Sequence, residues 1–382
     1  MDVDFDSTDT IEEAIKRAKD VQYIHAKGGF RIRNWVSNSE EFLKELGERS
    51  ADTTVHFDRD QTSDYERVLG VVWEPKQDNF SFSTSSNERF QQLVQSGERP
   101  SKRMLLSCVM AFFDPLGLLT SVTVLGRMLV QDIWRTGCEW DDRIDDVSFQ
   151  KWMRWSKMIA GVKAFKLPRS YFGSAKAREI EDLQLHIFTD ASEMAYGCVA
   201  YFRAIVRGQI MCALVMSRSK VAPLKQLSIP RLELQGAVLG ARMVQTVKDN
   251  HNLQVEKQFI WTDSQTVLSW IRSDQRRYKQ FVGFRIGEVL SLTKITDWNW
   301  VPTKINVADQ LTKWGKDPGL LSDNCWLRGP AFLYQKKEEW PRKTLPPANT
   351  TEELRIHLLL HDVVIPAVLI DAYRFFKWNV LT

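Results

Sequence analysis

Four acids in the second half of the chain stand where chemistry could be done. Asp190 closes the apolar run LHIFTD, Glu233 falls in the first turn of a helix expected from Pro230, Asp263 closes QFIWTD, and Asp309 opens a helical turn from Asn306. In an α/β sheet, strand ends and neighbouring helix starts converge on one rim, so the four could surround a single concave site. Carboxylates gathered that closely repel one another unless cations neutralise them. Hard oxygen donors select Mg²⁺ or Mn²⁺, and two such ions can activate water and stabilise the leaving oxygen in phosphodiester hydrolysis. Each Asp taken alone also reads as a turn or cap residue. Glu233 says more, because Gly236, Ala237, Gly240 and Ala241 follow at i+3, i+4, i+7 and i+8. Small residues there let the helix lie close on the sheet and carry the carboxylate to the strand ends.

The elements that must position these acids begin at Leu185. Strand segments LHIFTD, GCVAYF and QIMCALVM precede the helix from Pro230; the strand QFIWTD, a helix at SQTVLSWI, a helix near FVGFRIGEVLSL and the strand DWNWVP follow. This is α/β grammar in a unit of about 130 residues, an ordinary domain size. Upstream, residues 11–27 carry a helical apolar stripe closed by Gly28 and Gly29. A short strand FRIRNW, a helix EEFLKEL and two strands in RVLGVVWEPKQDNFSFS, turning at Gln77, Asp78 and Asn79, come next. Residues 101–180 show helical spacing in LGRMLVQDIW and FQKWMRWSKMI, broken at Asp114-Pro115 and Leu167-Pro168. After Trp314 a Pro-containing tail begins, and its last part, ELRIHLLLHDVVIPAVLIDAYRFFKWNVL, is amphipathic.

Composition narrows the function classes. At 382 residues the chain exceeds one small module, and 43% apolar with 26% charged residues excludes collagen-like, low-complexity and wholly disordered chains. Lys+Arg 52 against Asp+Glu 48 leaves only +4, so nucleic-acid binding must use local patches. Five Cys without a C-x-x-C pair argue against a disulfide framework or a four-Cys zinc site. The acidic start MDVDFDSTDT shows no signal peptide, and Val363 to Ile370, bracketed by Asp362 and Asp371, is too short to span a bilayer. The expectation is an intracellular protein, cytoplasmic or nuclear and not secreted, with no membrane partner.

One local patch is Arg272, Arg276, Arg277, Lys279 and Arg285, with Tyr278 and Phe281 interleaved and Asp274 the lone acid. Basic and aromatic together suit a phosphate backbone with base or sugar stacking, and a solvated loop is the plainer reading. Arg218, Lys220, Lys225 and Arg231 form a second patch with the same two readings. Trp134, Trp140, Trp152 and Trp155 read as packing. His357 and His361, at i and i+4, lack further ligands for zinc and read as core or surface histidines.

FTDAS (188–192), IPRLELQGA (229–237), WTDSQTVLSWI (261–271) and NVADQLTKW (306–314) together resemble the ribonuclease H domain of retroelement reverse transcriptases. KGGFRIRNWVSNS, VLGVVWEP, FFDPLGLLTSVTV, QDIWRTGCEWDD and RGPAFLYQ extend the resemblance to BEL/Pao long-terminal-repeat retrotransposon polyproteins over roughly residues 5–345. The resemblance implies an α/β, ribonuclease H-like five-stranded mixed sheet flanked by helices at 181–316. Before it would stand an α+β reverse transcriptase palm and thumb remnant at 1–100 and a helical connecting region of Pao type at 101–180; residues 317–382 would be a tail. It implies hydrolysis of the RNA strand of RNA/DNA hybrids with two Mg²⁺ (or Mn²⁺) ions held by Asp190, Glu233, Asp263 and Asp309. Ser264 and Gln265 match positions that contact the nucleic-acid backbone, though Ser264 also reads as an N-cap. Arg276, Arg277, Tyr278 and Lys279 join them as candidate contacts. The remaining polymerase and integrase parts of the polyprotein are the other partners it suggests.

The chain departs from the family in three ways. Residues 296–308 contain no His before the last Asp. Asp2, Asp4 and Asp6 resemble a degraded edge of the polymerase Y-x-D-D turn, so no DNA synthesis is expected. Segments like 101–180 go under a Pao retrotransposon peptidase family name, yet no Asp-Thr/Ser-Gly turn is present: Asp190 precedes Ala-Ser, Asp263 Ser-Gln and Asp52 Thr-Thr. Aspartic peptidase activity is therefore not expected. The alternative to a nuclease is a catalytically silent relic that binds nucleic acid or protein.

Overall fold

A computed structural model describes residues 6–32, 35–47, 55–56, 71–82, 88–112, 114–314, 325–343 and 353–355. The first apolar stripe becomes helix α1 (Ile11–Lys27), whose N-cap Thr10 accepts from Glu13 N and which ends at Gly28. Helix α2 (Glu40–Glu45) is capped by Ser39, and its Phe42 and Leu43 pack with Ala18 of α1 in a small separate core. The strand expected at FRIRNW is not formed: Phe30, Arg31, Ile32 and Trp35 are irregular, and Arg33 and Asn34 lie outside the described residues. Strand β1 (Val55–His56) pairs with β2 (Val71–Glu74), and β2 with β3 (Asn79–Phe82) in a hairpin. Asp78 turns that hairpin at φ 50, a conformation Asp tolerates better than most residues.

Helix α3 (Glu88–Ser96) leads into the connecting helices α4 (Lys102–Met110), α5 (Thr120–Thr136) and α6 (Asp146–Gly161). Trp152 and Trp155 are fully buried here among Phe90 and Phe112. Trp134 and Trp140 are not: each is about two-fifths exposed, edge to face with the other, with Lys102 Nζ 4.1 Å from the Trp134 ring. After α6 the chain returns as β4 (Leu167–Pro168) and adds to β3, so the small sheet reads β1-β2-β3-β4.

The main sheet follows. Strands β5 (Ile180–Ala191), β6 (Ala195–Val206) and β7 (Gln209–Val221) form an antiparallel meander. Helix α7 (Ile229–Asn250) crosses over to β8 (Lys257–Thr262), parallel to β5. Helices α8 (Gln265–Arg272) and α9 (Gln280–Leu292) precede β9 (Trp298–Trp300), parallel to β8. A 3-10 turn at Val307–Leu311 and helix α10 (Cys325–Arg328) complete it. The order β7-β6-β5-β8-β9 is a five-stranded mixed sheet flanked by helices, the α/β architecture expected from the resemblance.

Side-chain alternation decides what covers each face. Leu185 and Ile187 of β5 pack with Ala237 and Val244 of α7 and Val282 of α9. Phe188, Tyr201 and Trp261 point the other way, into a core that includes Leu125 and Trp155 of the connecting helices and Phe332 and Trp340 beyond α10. Polar ties reinforce that face: Asp114 accepts from Leu118 N and Leu119 N at 2.9 and 2.8 Å, Arg127 donates to Ser219 O at 3.2 Å, and Trp326 Nε1 donates to Leu118 O at 2.8 Å. One apolar core thus runs from Val71 to Trp340 across the expected limits at 100, 180 and 316.

The amphipathic stretch after Arg355, His357, His361, Asp2, Asp4, Asp52, Leu69 and Gly70 lie outside the described residues. Among the described residues no helix is long and apolar enough to cross a membrane.

Candidate active site

Asp190 is the next-to-last residue of β5, and Asp263 follows β8 directly. The parallel register ends at Thr189 opposite Thr262, which sets the two acids side by side at the strand ends. Asp190 is 7% exposed. Helix α7 starts at Ile229 behind the N-cap Ser228, one residue earlier than the sequence suggests, so Glu233 is its fifth residue and opens the second turn. That leaves little dipole reason for an acid there. The close approach expected from the small residues is present: a Cβ on Gly236 would stand 3.0 Å from Asp190 O, and one on Gly240 only 2.6 Å from Thr189 Cγ2. Gly240→Val forces the helix off β5 and should cost about 2–3 kcal/mol, read as a lower denaturant midpoint; an unchanged midpoint would show that the contact is slack.

Asp309 arrives on the 3-10 turn, which Asn306 fastens to β5. Asn306 Nδ2 donates to Thr189 O at 3.1 Å, and its Oδ1 accepts from Ala308 N at 3.3 Å. Thr312 Oγ1, at the end of that turn, donates to Asp190 Oδ2 at 2.5 Å. Lys313 Nζ pairs with Asp309 Oδ1. Ser264 Oγ donates to Glu233 Oε2 at 2.5 Å and accepts from Val267 N at 3.2 Å, so it caps α8 and holds the Glu233 carboxylate at once. Its hydroxyl therefore faces Glu233 and not solvent. Gln265, the first residue of α8, is exposed.

Electrostatics link the group. Burial pushes the Asp190 carboxyl up to about 7; the Thr312 hydroxyl opposes this, and the charges of Asp263 and Asp309 add to it. Burial likewise pushes Glu233 up to about 7, opposed by Ser264 and reinforced by Asp263. The Lys313 ammonium is held above its ordinary range, first by Asp309 and then also by Asp190 and Asp263. Thr312, Lys313 and Ser264 occupy carboxylate oxygens, and among the described residues no three His, Cys, Asp or Glu side chains are gathered closely enough to enclose a metal ion.

The candidate substrate contacts divide. Arg276, Arg277 and Lys279 are exposed around the 3-10 turn Gln275–Arg277. Tyr278 is only 5% exposed, its ring 6.0 Å from that of Trp270, so the stacking role expected for it is corrected to a core role. Arg231 and Arg285 flank Phe281, 4.8 and 3.6 Å from its ring centre. Arg218, Lys220 and Lys225 are exposed, whereas Arg231 is engaged by Glu353. Sequence reasoning missed Thr312 and Lys313 although they stand at i+3 and i+4 from Asp309; that spacing was the available signal. Nothing local announces Glu353 as a partner of Arg231.

Residues 101–264 match the family described as Pao retrotransposon-like RNaseH-like domain. The match takes in Asp190, Glu233 and Asp263 and stops short of Asp309. No curated protein matches the sequence. Solved structures align over about a third of the chain. The N-terminal ribonuclease H domain of a Mycobacterium tuberculosis protein, solved as a maltose-binding-protein fusion, shows 16% identity over 34% of this chain and 90% of that one, with a TM-score of 0.24. Ribonuclease H1 of the halophilic archaeon Halobacterium salinarum shows 10% identity over 32% and 88%, with a TM-score of 0.22. LC11 ribonuclease H1 in complex with an RNA/DNA hybrid shows 9% identity over 34% and 92%, with a TM-score of 0.25.

Proposed function

We propose, from the match of residues 101–264 to the family described as Pao retrotransposon-like RNaseH-like domain, a metal-dependent endonuclease that cuts the RNA strand of RNA/DNA hybrids. One observation carries the reading: four separate elements deliver Asp190, Glu233, Asp263 and Asp309 to one rim of the sheet, where two of the carboxyls are pushed up to about 7. Four oxygen donors with strained charge fit hard divalent cations, and Asp190, Glu233, Asp263 and Asp309 would hold two Mg²⁺ or Mn²⁺ ions. When bound, such ions activate water and offset charge on the leaving 3′-oxygen.

The chain's own groups prepare the site. Thr312 fixes one oxygen of Asp190 and leaves the other free to ligate. Ser264 does the same for Glu233. Lys313 offsets the charge of Asp309 and competes with a cation for it. Gln265, Arg276, Arg277 and Lys279 would meet the nucleic-acid backbone, which makes affinity fall with salt.

The test is cleavage of an end-labelled RNA/DNA hybrid by the purified chain in Mg²⁺ or Mn²⁺, with an EDTA control. RNA fragments ending in 3′-hydroxyls and seen only with metal are the expected result; intact hybrid in both metals sinks the nuclease. The rival, a silent relic that binds nucleic acid or protein, draws on one observation, the absence of a gathered ligand set among the described residues. Binding without cleavage would favour it.

A further inference from the structure

The tail segment 353–355 lies along the basic loop after α8. Tyr278 and Leu354 form an antiparallel bridge. Lys279 N donates to Glu353 O at 2.7 Å, and Arg355 N donates to Arg277 O at 2.8 Å. Arg355 Nε adds a bond to Tyr278 O at 2.7 Å. From this short strand Glu353 reaches Arg231, whose Nε and Nη2 donate to its two carboxylate oxygens at 2.6 and 3.1 Å. Leu354 packs against the core beneath α7 and α9.

Two properties of this contact point beyond simple packing. A forked guanidinium–carboxylate pair has the geometry that also binds phosphate, so Glu353 marks a position that accepts a pair of anionic oxygens. Arg231 stands two residues before Glu233 on α7, on a surface that also offers exposed Arg276, Arg277 and Lys279. Glu353 is 8% exposed, whereas the Arg231 side chain keeps 32% exposure and is open to competition.

We infer that residues 353–355 are an internal strap that occupies the Arg231 phosphate position, and that a nucleic-acid backbone displaces Glu353 to reach it. The inference rests on the hybrid substrate proposed above. Among the described residues the strap is held by one bridge, the Arg355 Nε bond to Tyr278 O, the packing of Leu354 and one forked ion pair, while a polyanion brings many phosphates to the same face, so an exchange of anions at Arg231 is the natural switch.

The experiment uses the full chain and a fluorescent RNA/DNA hybrid in EDTA, where binding is read without cleavage. Glu353→Gln keeps the side-chain shape and removes the charge. It should tighten binding about fivefold and steepen the log–log salt slope by about one, the increment for one added phosphate contact. Arg231→Gln should weaken binding, and the double variant should match Arg231→Gln alone. Hydrogen exchange gives the second readout: the amides of Lys279 and Arg355, protected in the free protein, should exchange faster with hybrid bound. Unchanged affinity and slope for Glu353→Gln, or amides that stay protected under saturating hybrid, would overturn the strap. If neither wild type nor Glu353→Gln retains hybrid, the strap and the nuclease reading fall together. If Glu353→Gln tightens binding and no metal supports cleavage, the strap stands and the nuclease reading alone is lost.

Discussion

Replacing Asp190 by Asn raises the thermal midpoint of the metal-free protein at pH 8 and lowers hybrid cleavage by about three orders of magnitude, because the carboxylate is both a strained buried charge and a proposed cation ligand. The folded-state pKa of Asp190 is about 7 against an ordinary 3.8, so between those values the folded chain binds a proton that the unfolded chain has lost. The contribution is therefore fully present below about pH 4 and disappears as pH rises through about 7. At about 1.36 kcal/mol per pH unit, keeping the charged form buried costs about 4 kcal/mol at pH 8. Asn has the same shape and can still accept from Thr312. It should recover much of that cost, a gain of about 5 °C for a unit of this size. Glu233, raised in the same way, should steepen the pH dependence in wild type. Mg²⁺ should raise the wild-type midpoint at pH 8 far more than at pH 5, and should leave the Asn variant nearly unmoved. A wild-type midpoint flat from pH 5 to 8 in EDTA would show that the carboxyls are not strained.

Residues 181–316 expressed alone should give a broad, non-cooperative melt, whereas 101–343 should melt sharply. The sheet face opposite α7 is closed by chain outside the shorter piece. Phe332 lies 5.0 Å and Trp340 5.8 Å from the Trp261 ring, Tyr201 donates to Trp326 O at 2.7 Å, and Arg203 Nε donates to Leu333 O at 2.6 Å. Phe188, Tyr201, Leu214 and Trp261 would all lose cover. At about 1.5–3 kcal/mol each, four such side chains cost about 6–12 kcal/mol, as much as a domain's whole stability. Calorimetry and dye binding on the two pieces decide the matter; a sharp transition for 181–316 would place the folding unit there.

The order of elements was readable because strand alternation, helical periodicity and caps are local signals. The residues at Asp190, Glu233, Asp263 and Asp309 could be singled out for the same reason: each abuts a strand end or a helix start. The start of α7 slipped by one residue because Pro230 stands second in the helix, after Ile229, and Ser228 at the N-cap position makes no side-chain cap bond. The strand expected at FRIRNW found no partner among the described residues, and β-propensity without a neighbouring strand does not make a sheet. Tyr278 misled because its basic neighbours are exposed while its own ring meets Trp270 from a different helix. The holds on the carboxylates by Thr312, Lys313 and Ser264 depend on side-chain direction, which spacing alone does not fix. The Glu353–Arg231 pair joins segments far apart in the chain, and no local pattern reports it.

Strand β7 is a long edge, and long edges invite a second copy to add on by main-chain pairing. Here the invitation is withdrawn at its middle. Ser217 N donates to Leu116 O at 2.9 Å, and Ser217 Oγ donates to Gly117 O. Gly117 has φ +72, and a Cβ there would stand 2.0 Å from Ser217 O, so only glycine lets the connecting segment sit this close. Arg127 covers Ser219 O just beyond, and exposed Arg218 and Lys220 put like charges along the same strand. The turn between α4 and α5 therefore also serves as an aggregation guard, keeping each copy of the chain from zipping to the next.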